Sequence, residues 1–251
     1  MRIVKRWLIV VAALAAASGA ERPEVMVAAA SNLTEVLSTA GRRFEARTGI
    51  HATFSFASTA QLTRQIENGA PFDVLLAADT AHVDELDRKG LLAAGSRALY
   101  ARGVLALWIP PSGPQSVQRL EDLAGPQVRY IAIAKPELAP YGQAAVDSLT
   151  RLGLWNAVQP KVVYAENINM AKQYGVSKNA DAVLTAYSLV FREAGKAIAV
   201  DEKLHEPINQ ELAVMRAAPQ AAAARRFAAF LLSVEGQELL AGFGYAPPGL
   251  R

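Results

Sequence analysis

The stretch Pro23-Glu24-Val25-Met26-Val27-Ala28-Ala29-Ala30-Ser31-Asn32-Leu33-Thr34 decides the fold class. Val25 to Ala30 is an unbroken apolar run of strand length and reads as a buried strand. Ser31-Asn32 punctuates it. Leu33, Val36, Leu37, Ala40 and Phe44 then recur at helical spacing until Gly49, a residue type that commonly ends helices. A buried strand passing directly into an amphipathic helix is the opening of a βαβ unit.

The pattern repeats downstream. His51 to Phe56 alternates, Ala57-Ser58-Thr59 punctuates, and Leu62 and Ile66 mark a second helix that stops at Asn68-Gly69. Asp73 to Ala78 reads as a third strand, and Asp79-Thr80 starts a helix that runs to Lys89-Gly90. The apolar run Gly103 to Ile109 reads as a strand leaving this first unit. A second series follows: strand Val128 to Ala134, helix Gly142 to Leu152, strand Lys161 to Ala165, a helix after Asn167, and strand Ala182 to Ala186. Ala197 to Asp201 and Glu211 to Met215 read as further strands. From Pro219 an alanine-rich helix carries Phe227, Phe230, Leu231 and Val234 on its apolar face. Alternating strands and helices predict an α/β protein with mainly parallel sheets. Two such series predict two similar lobes, residues 21–102 plus 203–251 and residues 103–202. Ligands of such sheets sit at the carboxyl ends of the strands, here in a crevice between lobes that can close.

The chain has 251 residues, 52% of them hydrophobic, with 26 Lys+Arg, 23 Asp+Glu and no cysteine. That composition belongs to a folded chain rather than a disordered one. The missing cysteines exclude disulfides, thiolate zinc sites and cysteine nucleophiles. Arg2, Lys5 and Arg6 precede an apolar run from Trp7 to Ala17, followed by Ser18-Gly19-Ala20. This is the layout of a secretory signal peptide, residues 1–20, cleaved after about Ala20. The run is short of the ~20 apolar residues a membrane span needs. Setting those three basic residues aside leaves 23 basic against the 23 acidic. No basic cluster survives to suggest nucleic acid. The expectation is an exported protein of the periplasm.

The informative residues stand between strands and helices: Ser31-Asn32, Ser58-Thr59, Pro140-Tyr141-Gly142, Glu166-Asn167-Ile168 and Tyr187-Ser188. They are mostly small or uncharged hydrogen-bonding residues. A helix start exposes unpaired N–H groups and a partial positive charge. Several such starts converging on one crevice would hold an anion without Lys or Arg. The ordinary role of Ser, Thr and Asn at these places is capping, and Asn32-Leu33-Thr34-Glu35 has the spacing of a capping box. Enzyme signatures are missing: the sequence has no G-x-S-x-G elbow and no Walker A loop. His51, His82 and His205 are scattered and form no ligand pair, so no enzyme is expected.

The stretches V-A-A-A-S-N-L-T (27–34) and F-A-S-T-A-Q-L-T-R-Q-I-E-N-G-A-P-F-D-V (56–74), A-P-Y-G (139–142), A-E-N-I (165–168), Tyr187 and S-x-E-G-Q-E-L-L-x-x-F-G-Y (233–245) resemble the periplasmic molybdate-binding proteins of ABC importers. The resemblance covers essentially the whole chain after the signal segment. It implies a type II periplasmic binding fold that closes around molybdate or tungstate and delivers it, as a monomer, to an inner-membrane ABC permease. Molybdenum enters only as the oxyanion; no further cofactor is implied. Carried over by position, the binding residues are Asn32, Thr59, Tyr141, Ile168 and Tyr187, with Ser31 and Ser58 as neighbouring candidates one residue of register away. Tyr141 and Ile168 would act through backbone N–H groups and Tyr187 through its hydroxyl. Relatives more often carry serine near Asn32 and Thr59, and valine at Ile168.

A fully ionised oxyanion only accepts hydrogen bonds, so a site of donors suits it, whereas protonated phosphate would also need an acceptor such as a carboxylate. Glu166 is the one acidic residue at a candidate position. Sulfate is equally ionised and would have to be rejected by size. The other readings are a carrier of a sulfate-like oxyanion, a ferric carrier using Tyr141 and Tyr187, the effector domain of a regulator, and an exported enzyme.

Overall fold

The computed structural model describes residues 23–248; the expected signal segment, 1–20, lies outside them. The chain runs β1 (Glu24–Ala30), α1 (Thr34–Thr48), β2 (His51–Ala57), α2 (Thr59–Glu67), β3 (Val74–Leu76), α3 (Ala81–Arg88) and β4 (Ala98–Gly103). It continues through β5 (Leu105–Ile109), β6 (Ile131–Ala134), α4 (Pro140–Arg151), α5 (Trp155–Val158), β7 (Val162–Ala165), α6 (Ile168–Val176), β8 (Ala182–Ala186), α7 (Tyr187–Val190) and β9 (Lys196–Ala199). It ends with β10 (Ile208–Val214), α8 (Ala221–Leu232) and α9 (Val234–Gly242).

Two five-stranded sheets result, β2-β1-β3-β10-β4 and β7-β6-β8-β5-β9. β1 pairs in parallel with β2 and β3, while β10 runs against β3 and β4. The second sheet repeats the plan: β6 is parallel to β7 and β8, and β5 runs against β8 and β9. The chain passes from one sheet to the other at Val104 and returns between Ala199 and Ile208. This is the two-lobe, type II binding-protein architecture, each lobe a mixed and mainly parallel sheet flanked by helices.

The sheets form where apolar runs meet helices able to cover them. In the first lobe α1 lies against β2 and α8 against β1, with Phe44 and Phe227 edge to face at 5.2 Å and both fully buried. In the second lobe Trp108 and Ile133 lie in the core with α4 and α6 against the sheet. Gly49 takes φ 70°, the left-handed conformation glycine adopts without penalty, and closes α1.

Several sequence readings shift. The strand expected over Val128 to Ala134 is ordered as a strand only from Ile131, and β4 was not foreseen at all. The alanine-rich helix stops at Ser233, whose hydroxyl caps a new helix by accepting from Gly236 N at 3.3 Å. Val234 therefore leaves the apolar face and is 76% exposed. Helix α4 begins two residues before Gly142, because Pro140 at its first position has φ preset for a helix and no N–H to lose.

Candidate functional site

Four strand-to-helix junctions meet where the lobes face each other. Ser31, Asn32, Ser58, Thr59, Tyr141 and Ile168 line one cavity, together with Ala30, Ala57, Ala78, Ala139 and Pro140. No Lys, Arg, Asp, Glu or His lines it. The space is about 10 Å³ for the centre of a water-sized sphere, room for roughly one such sphere.

Each junction is built by local sequence. After β1 the chain makes a 3-10 turn, Ser31–Leu33, before α1 starts. Thr34 Oγ1 donates to Ser31 O at 2.8 Å, which fixes that turn. The capping box expected from Asn32 to Glu35 is not made; the residue before α1 is Leu33, without a side-chain cap. Asn32 instead turns into the protein and is 1% exposed. The capping box belongs to Ser58: its Oγ accepts from Gln61 N at 3.4 Å, and Gln61 Oε1 accepts from Ser58 N at 3.2 Å. That leaves Thr59 at the first helical position, 1% exposed, its Oγ1 accepting from Ala78 N at 3.1 Å.

In the second lobe Ala139-Pro140-Tyr141-Gly142 brings the first turn of α4 against the end of β6. Gly142 permits this, because a Cβ there would lie 2.2 Å from Ala134 O. Asn167 caps α6 by accepting from Met170 N at 3.0 Å, and Ile168 is its first helical residue. Thr185 Oγ1 holds Ile168 O at 3.1 Å. The N–H groups of Ser31, Asn32, Thr59, Tyr141 and Ile168 all belong to first turns, which have no intrahelical acceptors.

Beneath the cavity lies a polar network that joins the lobes. Asn32 Nδ2 donates to Gln210 Oε1 at 2.9 Å and to Tyr245 Oη at 3.0 Å. Gln210 Nε2 donates to Tyr141 Oη at 2.9 Å, and Tyr100 Oη donates to Gln210 Oε1 at 2.8 Å or Ala77 O at 3.0 Å. Tyr245 Oη donates to Asn32 O at 2.7 Å, and Ser188 Oγ, from the other lobe, reaches the same oxygen at 3.3 Å. Burial pushes the hydroxyls of Tyr100, Tyr141 and Tyr245 above the ordinary phenol value, so all three keep their protons at neutral pH.

Charges stand back from the cavity. Glu166, two residues before Ile168, is paired with Lys135 and accepts from Gln61 Nε2 of the other lobe at 3.4 Å. That pairing raises the Lys135 ammonium above its usual value. Lys172, one turn beyond Ile168, is buried between Glu193 and Glu35. Tyr187 is not among the lining residues. Its ring stacks on Phe191 with centroids 5.7 Å apart, and its N–H donates to Val104 O at 2.8 Å.

Gln210 and Tyr100 were not singled out from sequence; Ser188 was named only as a junction residue beside Tyr187, and Tyr245 only as the end of the terminal motif. Gln210 carried no clear signal: it stands in the polar triplet Asn209-Gln210-Glu211, yet is fully buried in β10. Tyr100 carried none, because its strand was not recognised.

Residues 25–246 match the model of the bacterial extracellular solute-binding proteins. The chain belongs to that family. It is 34% identical over 234 residues to the molybdate-binding protein ModA of Rhodobacter capsulatus, covering 93% of this chain and 90% of that protein. It is also 34% identical to ModA of Azotobacter vinelandii, covering 96% and 97%. The solved structure of the Azotobacter vinelandii periplasmic molybdate-binding protein superposes with a TM-score of 0.85 at 29% identity, over 90% of this chain and all of that one. The resemblance read from the junction motifs thus extends to the whole fold. A solute-binding protein of this kind holds and hands over a ligand; it is not an enzyme. Among the described residues no cluster of His, Asp and Glu could hold a metal ion, and no helix is long and apolar enough to cross a membrane.

Proposed function

We propose that the chain binds molybdate, and tungstate with it, in the periplasm and delivers it as a monomer to an ABC import permease. The observation that carries this reading is the cavity between the lobes, lined by helix first turns and hydroxyl or amide side chains without a charged group. Such a surface stabilises a dianion through aligned N–H dipoles. It also avoids burying an unpaired cation while the site is empty, which would cost several kcal/mol. The names of the relatives and the junction motifs favour molybdate over other dianions.

The proposed ligands are the N–H groups of Asn32, Thr59, Tyr141 and Ile168 with the Asn32 amide and the Thr59 hydroxyl. The Ser31 N–H is the neighbouring donor. Ser58 Oγ serves α2 and leaves Thr59 as the hydroxyl of that junction. Tyr187 would join only through a movement of its ring. The two lobes are taken as residues 21–102 plus 203–251 and 103–202, a division supported by the change of sheet on either side of Val104 and between Ala199 and Ile208. A signal peptide cleaved after about Ala20 supplies the export.

Isothermal titration with sodium molybdate, repeated with tungstate, sulfate, phosphate and ferric citrate, tests the reading. Saturable binding of the first two at one site per chain is expected. Each should also stabilise folding by about 2.7 kcal/mol at a hundred times its dissociation constant. Equal affinity for sulfate would reduce the claim to a general oxyanion carrier. Tyrosinate-to-iron absorbance with ferric salt, and no molybdate binding, would replace it.

A further inference from the structure

The network under the cavity has two hydrogen-bonded arrangements, and they differ in what Asn32 offers a ligand. In the arrangement described above Asn32 Nδ2 is spent on Gln210 Oε1 and Tyr245 Oη, and Asn32 Oδ1, buried, has no partner. The Tyr141 hydroxyl accepts from Gln210 Nε2, and no described group accepts its proton. An unpartnered buried acceptor costs about 1–3 kcal/mol. Asn32 also lines the cavity, where an oxygen is the wrong kind of atom to offer an acceptor-only dianion.

Rotating both side-chain amides by half a turn exchanges their O and N atoms without moving any other group. Gln210 Nε2 then donates to Asn32 Oδ1 and to Tyr100 Oη, and Tyr100 passes its proton to Ala77 O. Gln210 Oε1 accepts the proton of Tyr141. Tyr245 shares its single proton between Asn32 O and Oδ1, with Ser188 Oγ assisting at Asn32 O. Asn32 Nδ2 is released with both of its protons. Neither amide can turn alone. With Gln210 fixed, a turned Asn32 would set its oxygen against Gln210 Oε1; with Asn32 fixed, a turned Gln210 would set two NH2 groups face to face.

We propose that Gln210 is a positioning residue for the anion site: binding of the oxyanion turns the Asn32 and Gln210 amides together, so that Asn32 presents its NH2 group to the anion and Gln210 locks it there. Without the anion, Asn32 Nδ2 is expected to stay inside, on Gln210 Oε1 and Tyr245 Oη. The anion selects the other because only that one gives it donors, a population shift driven by differential affinity. This rests on the oxyanion reading above and adds Gln210, Tyr141 Oη and Tyr100 Oη, none of which needs to touch the ligand.

The test reads amide orientation directly. In ¹⁵N-labelled wild-type protein, nuclear Overhauser contacts of the two side-chain NH2 groups are recorded without and with saturating sodium molybdate, saturation being fixed by titration calorimetry on the same sample. Without ligand the Asn32 NH2 protons should contact the Tyr245 ring, and those of Gln210 the Tyr141 ring. With molybdate the Asn32–Tyr245 contact should vanish and the Gln210 NH2 protons should contact the Tyr100 ring. Gln210→Met, which keeps length but cannot lock the amide, should weaken molybdate binding about tenfold. Molybdate binding with unchanged Overhauser contacts would overturn the coupled rotation while leaving the oxyanion reading intact. No heat with molybdate would overturn both. Should Gln210→Met fail to fold, the wild-type spectra decide alone.

Discussion

Replacing Thr59 by valine separates two things its hydroxyl does. The side chain is 1% exposed, and its oxygen accepts from Ala78 N at 3.1 Å, which leaves the hydroxyl proton unspent. Valine keeps the branched shape and removes both functions. A hydrogen bond to a charged partner contributes about 1.5–3 kcal/mol, so molybdate should bind roughly 10- to 150-fold more weakly. In the ligand-free protein the Ala78 N–H loses its acceptor in a buried place, at a cost of about 1–3 kcal/mol. For a chain of this size that lowers the melting temperature by roughly 2–4 °C per kcal/mol. Thr59→Ser keeps the oxygen and the proton and should stay within about threefold of wild type in affinity. Calorimetric titration and ligand-free melting of both variants make the check. A Thr59→Val protein that melts lower yet binds molybdate within about threefold of wild type would refute the reasoning. The hydroxyl would then serve only Ala78, and the anion would rest on N–H groups alone.

Tyr187→Phe should leave molybdate affinity within about threefold of wild type, since the ring stacks on Phe191 outside the cavity; titration calorimetry showing a tenfold loss would bring the hydroxyl into the bound site. Phe227→Ala removes a fully buried ring packed on Phe44 and Phe54 and should cost about 3–5 kcal/mol in urea unfolding. The His82 imidazole, whose Nδ1 lies 2.8 Å from Asp79, has its pKa raised chiefly by that hydrogen bond, against the opposing effect of burial. Folding is therefore supported by this pair below the ordinary value of 6.5 and loses that support as pH rises through the raised value. Melting of wild type and His82→Gln from pH 5.5 to about 9 should show a decline in wild type that the variant lacks.

The fold was legible because strand and helix periods alternate cleanly and each junction carries a turn residue. Val25 to Ala30 followed by Leu33, Val36, Leu37 and Ala40 admits one reading, and the structure has it. The direction of β5 and β10 was not legible, since an apolar run specifies burial and says nothing of which neighbour it pairs with. β4 was missed because Tyr100 and Arg102 alternate with small residues and one face is half-exposed. At the site, sequence marked the junctions but did not fix which side chain at each one caps its helix. Asn32 fits a capping box by spacing, yet a 3-10 turn intervenes and frees its amide for the interior. Ser58 fits an anion ligand by position, yet Gln61 three residues on engages it as a cap. One residue of register separates cap from ligand, and only the backbone path fixes it. Gln210, 178 residues from Asn32, meets it through the pairing of β10 beside β3, a contact that local pattern does not encode.

The placement of charge follows from the same economy. A dianion enclosed between lobes needs donors that are fixed before it arrives, because reorganising them would consume the binding energy. Capped helices supply such donors at no cost to the ligand-free protein, whereas a buried unpaired lysine would destabilise it. The cations near the site bear this out by where they are held. Lys172 is sandwiched between Glu35 and Glu193, and Lys135 is occupied by Glu166, itself engaged by Gln61 across the cleft. Each of these pairs bridges the lobes or stands beside a residue that does. Opening the cleft breaks the Glu35–Lys172 and Gln61–Glu166 contacts together with Gln210–Tyr141 and Ser188–Asn32. The first two are partly exposed ion pairs and amide contacts of small net worth, while the last two are buried and directional. The buried cross-lobe bonds thus involve the same polar groups proposed to set the Asn32 amide, so closure and the proposed ligand recognition draw on one network.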